Sequence, residues 1–318
     1  MSLQLPGRWV WDFWLVQEGS LWHVFFLHAP QTPRDPDRRH FSAAIGHAVS
    51  IDLISWQLAE DALTPGPAGS WDDMATWTGS AVAHPDGGWA MLYTGVSSSE
   101  QGLVQRIGIA RSDDLQTWVK HPENPVLEAD ARWYELLDTR MWHDQAWRDP
   151  WLVEDPAGGL FHAFITARAG SGDPQCRGVI GYATSVDLVN WDVGPPIVAP
   201  DGFGHMEVPQ VFVAGEYWHL LFSAPASAQV LRSHPSCTGT FHAISDELTG
   251  PYREVGPLFC DHKESLYGGK IVVTDKGRAC LAFRYLDRAG DIVGELTDPM
   301  PVELATDGSL ILLESHPY

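Results

Sequence analysis

The chain has 318 residues, a formal net charge of −21 at pH 7 and 44% hydrophobic residues. A negative charge of this size repels phosphate groups, which argues against nucleic-acid and anionic membrane partners. No apolar run reaches the length of a membrane span, and the N-terminus lacks the basic and apolar regions of a secretory signal. We therefore expect a cytoplasmic protein; the sequence leaves its oligomeric state open.

Cysteine and histidine spacing gives no sign of a cofactor. No two cysteines form a CxxC pair, which predicts that all four, Cys176, Cys237, Cys260 and Cys280, are reduced structural thiols. The 14 histidines show no HxxxH or HExxH spacing, so we predict no metal centre. Acidic pairs such as Asp72 and Asp73 lack the spacing of a calcium loop, and a structural Ca²⁺ stays open. No cofactor is predicted.

A motif of the form Gly-x-Ala-x-Ser-x-Asp-Leu-x-x-Trp recurs along the chain. Three close copies span residues 46–56, 108–118 and 181–191, and a degenerate copy spans 241–252. Alternating small and variable residues are typical of a strand, and Asp-Leu predicts the turn that follows it. The Trp is expected to pack between adjacent sheets. Recurrence of the turn acids Asp52, Asp114, Asp187 and Glu247 indicates an architectural role.

Two further strand-like runs precede each copy, and a fifth unit follows over residues 269–313. Each unit therefore reads as strand, strand, strand, turn and strand. This pattern predicts an all-β fold: a five-bladed β-propeller with four-stranded antiparallel blades around a central channel. We expect one catalytic domain over residues 1–318, without a C-terminal β-sandwich.

Three acidic residues share one setting at the start of a first strand: Asp12 in blade one, Asp149 in blade three and Glu207 in blade four. In an up-and-down sheet these starts lie on one face, so the three carboxyls should converge at one end of the channel. Crowded acids separate their pKa values, as general acid and nucleophile require. We expect Glu207, which follows His205, to lie in a drier setting than Asp149, which follows Arg148.

These motifs, in order, resemble a known clan. Trp11-Asp12, the run Trp-Thr-Gly-Ser at 77–80, Arg-Asp-Pro at 148–150 and Glu-x-Pro at 207–209 are similar to the five-bladed glycoside hydrolases of families 32 and 68, which include invertases, levanases and levansucrases. The resemblance implies a retaining β-fructosidase acting on sucrose or short fructans, with possible fructosyl transfer. It implies these roles: Asp12 as nucleophile, Glu207 as general acid/base, Asp149 as transition-state stabiliser, and Trp11, Trp77, Thr78 and Arg148 as residues around the sugar.

Two histidines, His28 and His205, are further candidates for substrate contact because they lie near the predicted channel mouth. Two other functions remain open from the sequence. One is an inverting arabinanase or xylosidase similar to family 43, for which the separation of the carboxyls discriminates. The other is a non-catalytic carbohydrate-binding propeller. In each case the expected partner is a small carbohydrate.

Overall fold

A computed structural model describes residues 3–32, 35–198, 202–230, 236–261 and 265–313. It confirms the predicted all-β fold: the strands form five antiparallel sheets, and each sheet is one blade of a propeller. In blades one to four, the four strands are hydrogen-bonded in chain order. In blade five the second strand pairs with two short strands, so this sheet has five strands.

The strands of blades one and two are β1 Arg8–Glu18, β2 Leu21–Pro30, β3 Ala44–Ser50, β4 Gln57–Leu58, β5 Ala75–Ala83, β6 Trp89–Val96, β7 Gln105–Ser112 and β8 Val119–Lys120. Those of blades three and four are β9 Trp147–Glu154, β10 Phe161–Arg168, β11 Gly178–Ser185, β12 Asp192–Gly194, β13 Glu207–Ala214, β14 Tyr217–Ala224, β15 Thr238–Ser245 and β16 Arg253–Asp261. Blade five comprises β17 Leu266–Thr274, β18 Gly277–Leu286, β19 Ile292–Leu296, β20 Met300–Leu304 and β21 Leu310–Leu312.

The first strands of the blades surround one axis. β1 contacts β5, β5 contacts β9, β9 contacts β13, β13 contacts β17, and β17 contacts β1 again. In the described part of the chain the helical segments are short 3-10 turns: Pro36–Ser42, Pro174–Cys176 and Ala226–Ala228. None of these could cross a membrane.

The predicted turn follows the third strand of a blade. In blade three, the Ser185 hydroxyl accepts the N–H groups of Asp187 and Leu188 at 3.2 and 2.8 Å. The Asp187 carboxylate accepts those of Val189 and Asn190 at 3.0 and 2.8 Å. Leu188 adopts a left-handed backbone with φ 65°. The same aspartate bonds and left-handed leucine recur at residues 50–55 and 112–117, so this element is architectural.

The tryptophan of the motif packs between blades, as the sequence predicts. In blade two, the edge of Trp118 faces Phe25 of blade one, with ring centroids 5.6 Å apart. Trp191 of blade three packs against a core cluster that contains Leu92 and Ile107 of blade two. Because large apolar rings fill the wedge between diverging sheets, these contacts fix neighbouring blades to each other.

Every first strand carries a bulge near its start, where its pairing with the second strand is irregular. A bulge leaves residues unpaired and turns their side chains away from the ladder. The bulge residues are Asp12, Thr78, Asp149, Val208 and Gly268, preceded by Trp11, Trp77, Arg148, Glu207 and Tyr267. All of these bulge residues except Thr78 have a left-handed backbone, with φ between 27° and 66°. Each blade thus presents its bulge residue, and the paired residue before it, at one end of the axis.

The prediction of four reduced cysteines is wrong for two of them. Cys237 and Cys260 form a disulfide with a Cα–Cα distance of 5.7 Å. They are 23 residues apart in sequence, but Cys237 directly precedes β15 and Cys260 lies on the paired strand β16, opposite Gly239. Strand pairing brings them within the range that a disulfide needs. Cys176 and Cys280 are free thiols.

Candidate active site

A cavity of about 560 Å³ opens at the bulge end of the axis. Asp12, Asp149 and Glu207 all line it, so the structure places the three predicted carboxyls together. The other predicted site residues that line the same cavity are Trp11, Trp77, Thr78, Arg148 and His205. The convergence follows from the bulges, because each first strand brings its bulge residue and the residue before it to one end of the axis.

The remaining candidate, His28, is not brought to this cavity. It pairs with Val10 in the sheet, ahead of the bulge on that strand. Its Nδ1 accepts a hydrogen bond from Arg8 Nε at 2.7 Å, and its Nε2 lies 2.8 Å from Asp61 Oδ1. Because both ring nitrogens are engaged, His28 links the N-terminal strand to the Asp61 loop and is not available as a substrate contact.

Asp12 lies at the blade-one bulge with one carboxylate oxygen partnered. Thr78 Oγ1 donates to Asp12 Oδ2 at 3.1 Å. The other oxygen faces Gly268, and a Cβ at that position would lie 3.6 Å from Oδ1. Burial, reinforced by the negative charges of Asp149 and Glu207, raises the pKa of Asp12 to about 7. Asp12 therefore offers a fixed, poorly solvated oxygen to the cavity.

Asp149 is the most enclosed of the three acids that contact Arg148. Its side chain is 4% exposed. Its Oδ2 accepts hydrogen bonds from Thr166 Oγ1 at 2.9 Å and from the Val208 N–H at 3.3 Å. Burial raises the pKa of Asp149, and the adjacent Arg148 guanidinium opposes that rise. Two hydrogen bonds thus anchor Oδ2 to the protein.

Glu207 is held by two donors from different blades. Its Oε1 accepts from Arg148 Nη2 and its Oε2 from the Tyr267 hydroxyl, each at 2.5 Å. Its side chain is 22% exposed, so the expectation that Glu207 is drier than Asp149 is wrong. The reason is that the Thr166 side chain and the Val208 backbone enclose Asp149. Arg148, its neighbour in sequence, extends to Glu207 of the next blade and approaches Asp149 only to 3.6 Å.

Two buried cations, Arg148 and Lys270, partly neutralise the negative charge of the site carboxylates. Arg148 contacts Glu207, Asp149 and also Asp144, whose Oδ2 lies 3.2 Å from Nη1. Lys270, 3% exposed, donates to the carbonyl of Val208 at 2.5 Å. Burial lowers the pKa of Lys270 to about 8, although Asp12 and Asp149 favour its charged form. The left-handed backbone of Val208 explains this link, because its N–H faces Asp149 and its carbonyl faces the lysine.

The turn Pro36–Ser42, between the second and third strands of blade one, forms part of the cavity wall. The Arg39 guanidinium lies 5.6 Å from the centroid of the Trp11 ring and 5.9 Å from that of Tyr285. The His40 carbonyl accepts a hydrogen bond from Trp77 Nε1 at 2.6 Å. These contacts fix both predicted sugar-facing tryptophans, since the polar atom of one and the ring face of the other are engaged by the turn.

One cluster in the described part of the chain has metal-ligand chemistry: His143, Asp144 and His205. The Nε2 atoms of the two histidines lie 3.7 and 3.8 Å from Asp144 Oδ1. However, Trp142 Nε1 donates to His205 Nε2 at 2.9 Å, so that lone pair is occupied. The cluster does not present three free ligands, and the absence of a cofactor remains a prediction.

Sequence reasoning missed five residues of the cavity region: Tyr267, Lys270, Trp142, Arg39 and His40. Tyr267 and Lys270 had a signal, because their strand repeats the bulge of the other four. The predicted first strand of blade five began at Gly269 and therefore excluded Tyr267. The other three lie outside the repeat, and no spacing in the sequence places them at the cavity.

Structural comparison defines the fold class as the five-bladed β-propellers. The fold is similar to an inulosucrase from Halalkalicoccus jeotgali bound to kestose, with a TM-score of 0.79 and 21% identity, covering 99% of this chain and 92% of that one. It is also similar to levansucrase from Bacillus subtilis, with a TM-score of 0.76 and 18% identity, covering 97% and 86%. At these identities the likeness shows the fold alone.

The sequence matches the glycosyl hydrolases family 32 N-terminal domain over residues 14–286, so the chain belongs to that family. A fructan 6-exohydrolase from Beta vulgaris is 27% identical over 215 residues, which is 66% of this chain and 32% of that protein. A cell wall beta-fructofuranosidase from Pisum sativum is 27% identical over 204 residues, or 62% and 33%. The chain thus spans about a third of the length of these curated relatives.

Proposed function

We propose that this chain is a retaining glycoside hydrolase that cleaves β-fructosides, such as sucrose or short fructans, and passes the fructosyl unit to water or to a sugar. One observation carries the proposal: in a family 32 chain, Asp12, Asp149 and Glu207 line one cavity from three different blades. The names of its relatives, which include a fructan exohydrolase and beta-fructofuranosidases, support the substrate class.

In the proposed reaction, Asp12 is the nucleophile. Thr78 holds one oxygen of its carboxylate, and the oxygen beside Gly268 attacks the anomeric carbon. Attack forms a covalent fructosyl-enzyme while the glycosidic bond breaks, and the leaving oxygen takes a proton from Glu207. Glu207, once deprotonated, then accepts a proton from the water or sugar hydroxyl that displaces Asp12. The configuration at the anomeric carbon is therefore retained.

Asp149 and Arg148 are proposed to stabilise the transition state. The oxygen of Asp149 that does not bond Thr166 or Val208 can accept hydrogen bonds from sugar hydroxyls. The negative charge of Asp149 stabilises the positive charge that develops on the sugar in an oxocarbenium-like transition state. Arg148 holds Glu207 in the ion pair seen here. Glu207 must receive a proton before the first step, so we expect this ion pair to loosen when substrate enters.

The test is a substrate screen with product analysis. Wild type, Asp12→Asn, Asp149→Asn and Glu207→Gln are incubated with sucrose, raffinose, inulin, levan and arabinan, with the exposed-loop variant Asp246→Asn as a folding-matched control. Wild type and control should release fructose, and the three site variants should not. NMR of the first-formed product should show the retained anomer. Release of arabinose with inversion would favour the family 43-like alternative, and binding without any release would favour a non-catalytic propeller.

A further inference from the structure

His205 lies between an indole and the proposed acid/base, and its two ring nitrogens have different neighbours. It is 4% exposed. Its Nε2 lies 2.9 Å from Trp142 Nε1, and its Nδ1 lies 3.5 Å from Glu207 Oε1. An indole N–H is a donor only, so Nε2 must be the acceptor and carries no proton.

The charge state of His205 decides where its proton lies. Burial, followed by the positive charge of Arg148, lowers the pKa of His205 well below its usual value. The ring is therefore neutral and carries one proton. Because Nε2 accepts from Trp142, that proton is on Nδ1, which faces Glu207. Arg148 Nη2, a donor only, also lies 3.3 Å from Nδ1, and a neutral ring can accept at one nitrogen alone. The Trp142 contact, at 2.9 Å, is the shorter of the two, and Arg148 makes its own short bond to Glu207, so we assign the lone pair to Nε2.

The orientation of Trp142 is itself fixed by a buried arginine, Arg168. The Arg168 guanidinium carbon lies 3.6 Å from the centroid of the indole ring. Arg168 is fully buried, and it donates to the carbonyls of Gly204 and Pro174 at 2.6 Å each and pairs with Glu135 at 3.2 Å. A cation over the ring face draws electron density from the indole and restricts its rotation. The Trp142 N–H is thus held in one direction, towards His205.

We infer that Trp142 is a positioning residue that selects the His205 tautomer, so that an N–H donor, and not a lone pair, faces the Glu207 carboxylate. The inference rests on the proposed role of Glu207 as general acid/base. A donor at this place favours the ionised carboxylate, whereas the other tautomer would accept a proton from the carboxylic acid and favour it. Trp142 thereby shifts the equilibrium between the protonated and the ionised form of Glu207 without contacting Glu207 itself.

Several other charged groups face these two side chains. His205 is faced by Arg148, Asp144, His143 and Arg168. Glu207 is contacted by Arg148 and by the Tyr267 hydroxyl. The charges of Asp12 and Asp149 also act on Glu207. None of these residues except His205 is substituted in the variants described next, so a change in the pH profile is assigned to the proton on His205.

The principal test is Trp142→Phe, which keeps an aromatic face for Arg168 and removes the N–H together with the rest of the five-membered ring. With the proposed substrate, the basic limb of the kcat/KM profile should move to higher pH by about one unit, because the acid form of Glu207 is favoured. The limiting rate should change by less than about threefold. An unchanged basic limb in a folded Trp142→Phe protein overturns the inference.

Two substitutions of His205 form a matched pair. In His205→Asn the amide can place a donor where Nδ1 lies, but it does not reach Trp142. In His205→Gln the longer side chain can accept from Trp142, but it leaves no donor in the Nδ1 position. The inference predicts a wild-type basic limb for the Asn variant and a shifted limb for the Gln variant. The reverse order, or equal shifts in both, contradicts it.

NMR of protein labelled with ¹⁵N-histidine reports the tautomer without catalysis, and the resonance lost in His205→Asn assigns the signal. Wild type should show a protonated Nδ1 and a bare Nε2, and Trp142→Phe should show the opposite form at appreciable population. A wild-type proton on Nε2 overturns the inference whatever the activity. A correct tautomer in an enzyme whose Glu207→Gln variant still hydrolyses fructosides overturns the proposed acid/base role, and the inference with it.

Discussion

The two faces of the propeller differ in what the blades have in common. On one face, the turn after the third strand repeats the same serine, aspartate and left-handed leucine in three blades. On the opposite face, the bulge repeats in all five blades, but the residue at it varies: Asp in blades one and three, and Thr, Val and Gly in the other three. At the turn, which is structural, both the backbone geometry and the side chains are repeated. At the cavity, the backbone geometry is repeated but the side chains vary. The following predictions test this division.

The largest effect is expected at the cavity face. Asp12→Asn should reduce kcat/KM by about 10⁴-fold or more, since it removes the proposed nucleophile. The protein should stay folded. Because the pKa of Asp12 is raised from 3.8 to about 7, the wild type loses stability as pH rises between these values, and the Asn variant does not. Denaturant unfolding at pH 5 and pH 8 checks this.

The matched comparison for Asp12→Asn is Asp246→Asn, an exposed acid after the third strand of blade four. It should retain wild-type kcat/KM and the wild-type dependence of stability on pH. Equal activity losses in the two variants would show that the carboxyl at the bulge has no special role.

A smaller effect on activity is expected when the buried Lys270 is replaced. Since Asp12 must be ionised to attack, wild-type kcat/KM should rise with pH through an acid limb near 7. Lys270 lowers the pKa of Asp12 by its positive charge, so Lys270→Met should move this limb upward by about one pH unit. The measurement is kcat/KM between pH 4 and 9.

The control for this prediction is Lys276→Met, which removes an exposed lysine from the same blade. It should leave the acid limb in place. A downward shift in Lys270→Met, or equal shifts in both variants, would contradict the electrostatic role assigned to the buried lysine.

The smallest effect on activity is expected at the repeated turn. Asp187→Ala removes the acceptor for two backbone N–H groups and should lower the free energy of unfolding by about 1–2 kcal/mol. Its kcat/KM should stay within about twofold of wild type, since the turn lies on the far face from the cavity. Chemical denaturation and initial rates measure the two quantities. A large activity loss without a change in stability would break the division between the faces.

The sequence predicted the elements whose signal is local and repeated. The motif around Asp187 predicted the blades, and the first-strand positions of Asp12, Asp149 and Glu207 predicted one face. The sequence could not predict which side chains from distant segments contact each other. The direction of Arg148, which turns to the next blade, depends on packing across the axis.

The approach of Trp142 to His205 and the Cys237–Cys260 bond have the same origin. Each joins residues from segments that no periodic pattern connects, and only the folded chain brings them together. The missed Tyr267 is a different case. Aligning blade five on its bulge, and not on its apolar run, would have found it.

Placing ligand-facing residues at bulges has a consequence for how this scaffold can change. A bulge residue makes no ladder hydrogen bond that its replacement would break. Substitutions there leave strand pairing intact, but the left-handed backbone at Asp12, Asp149, Val208 and Gly268 favours Gly, Asn or Asp. The lining of the cavity can therefore change while the pairing within each blade is kept, within the set of residues that the backbone at each bulge accepts.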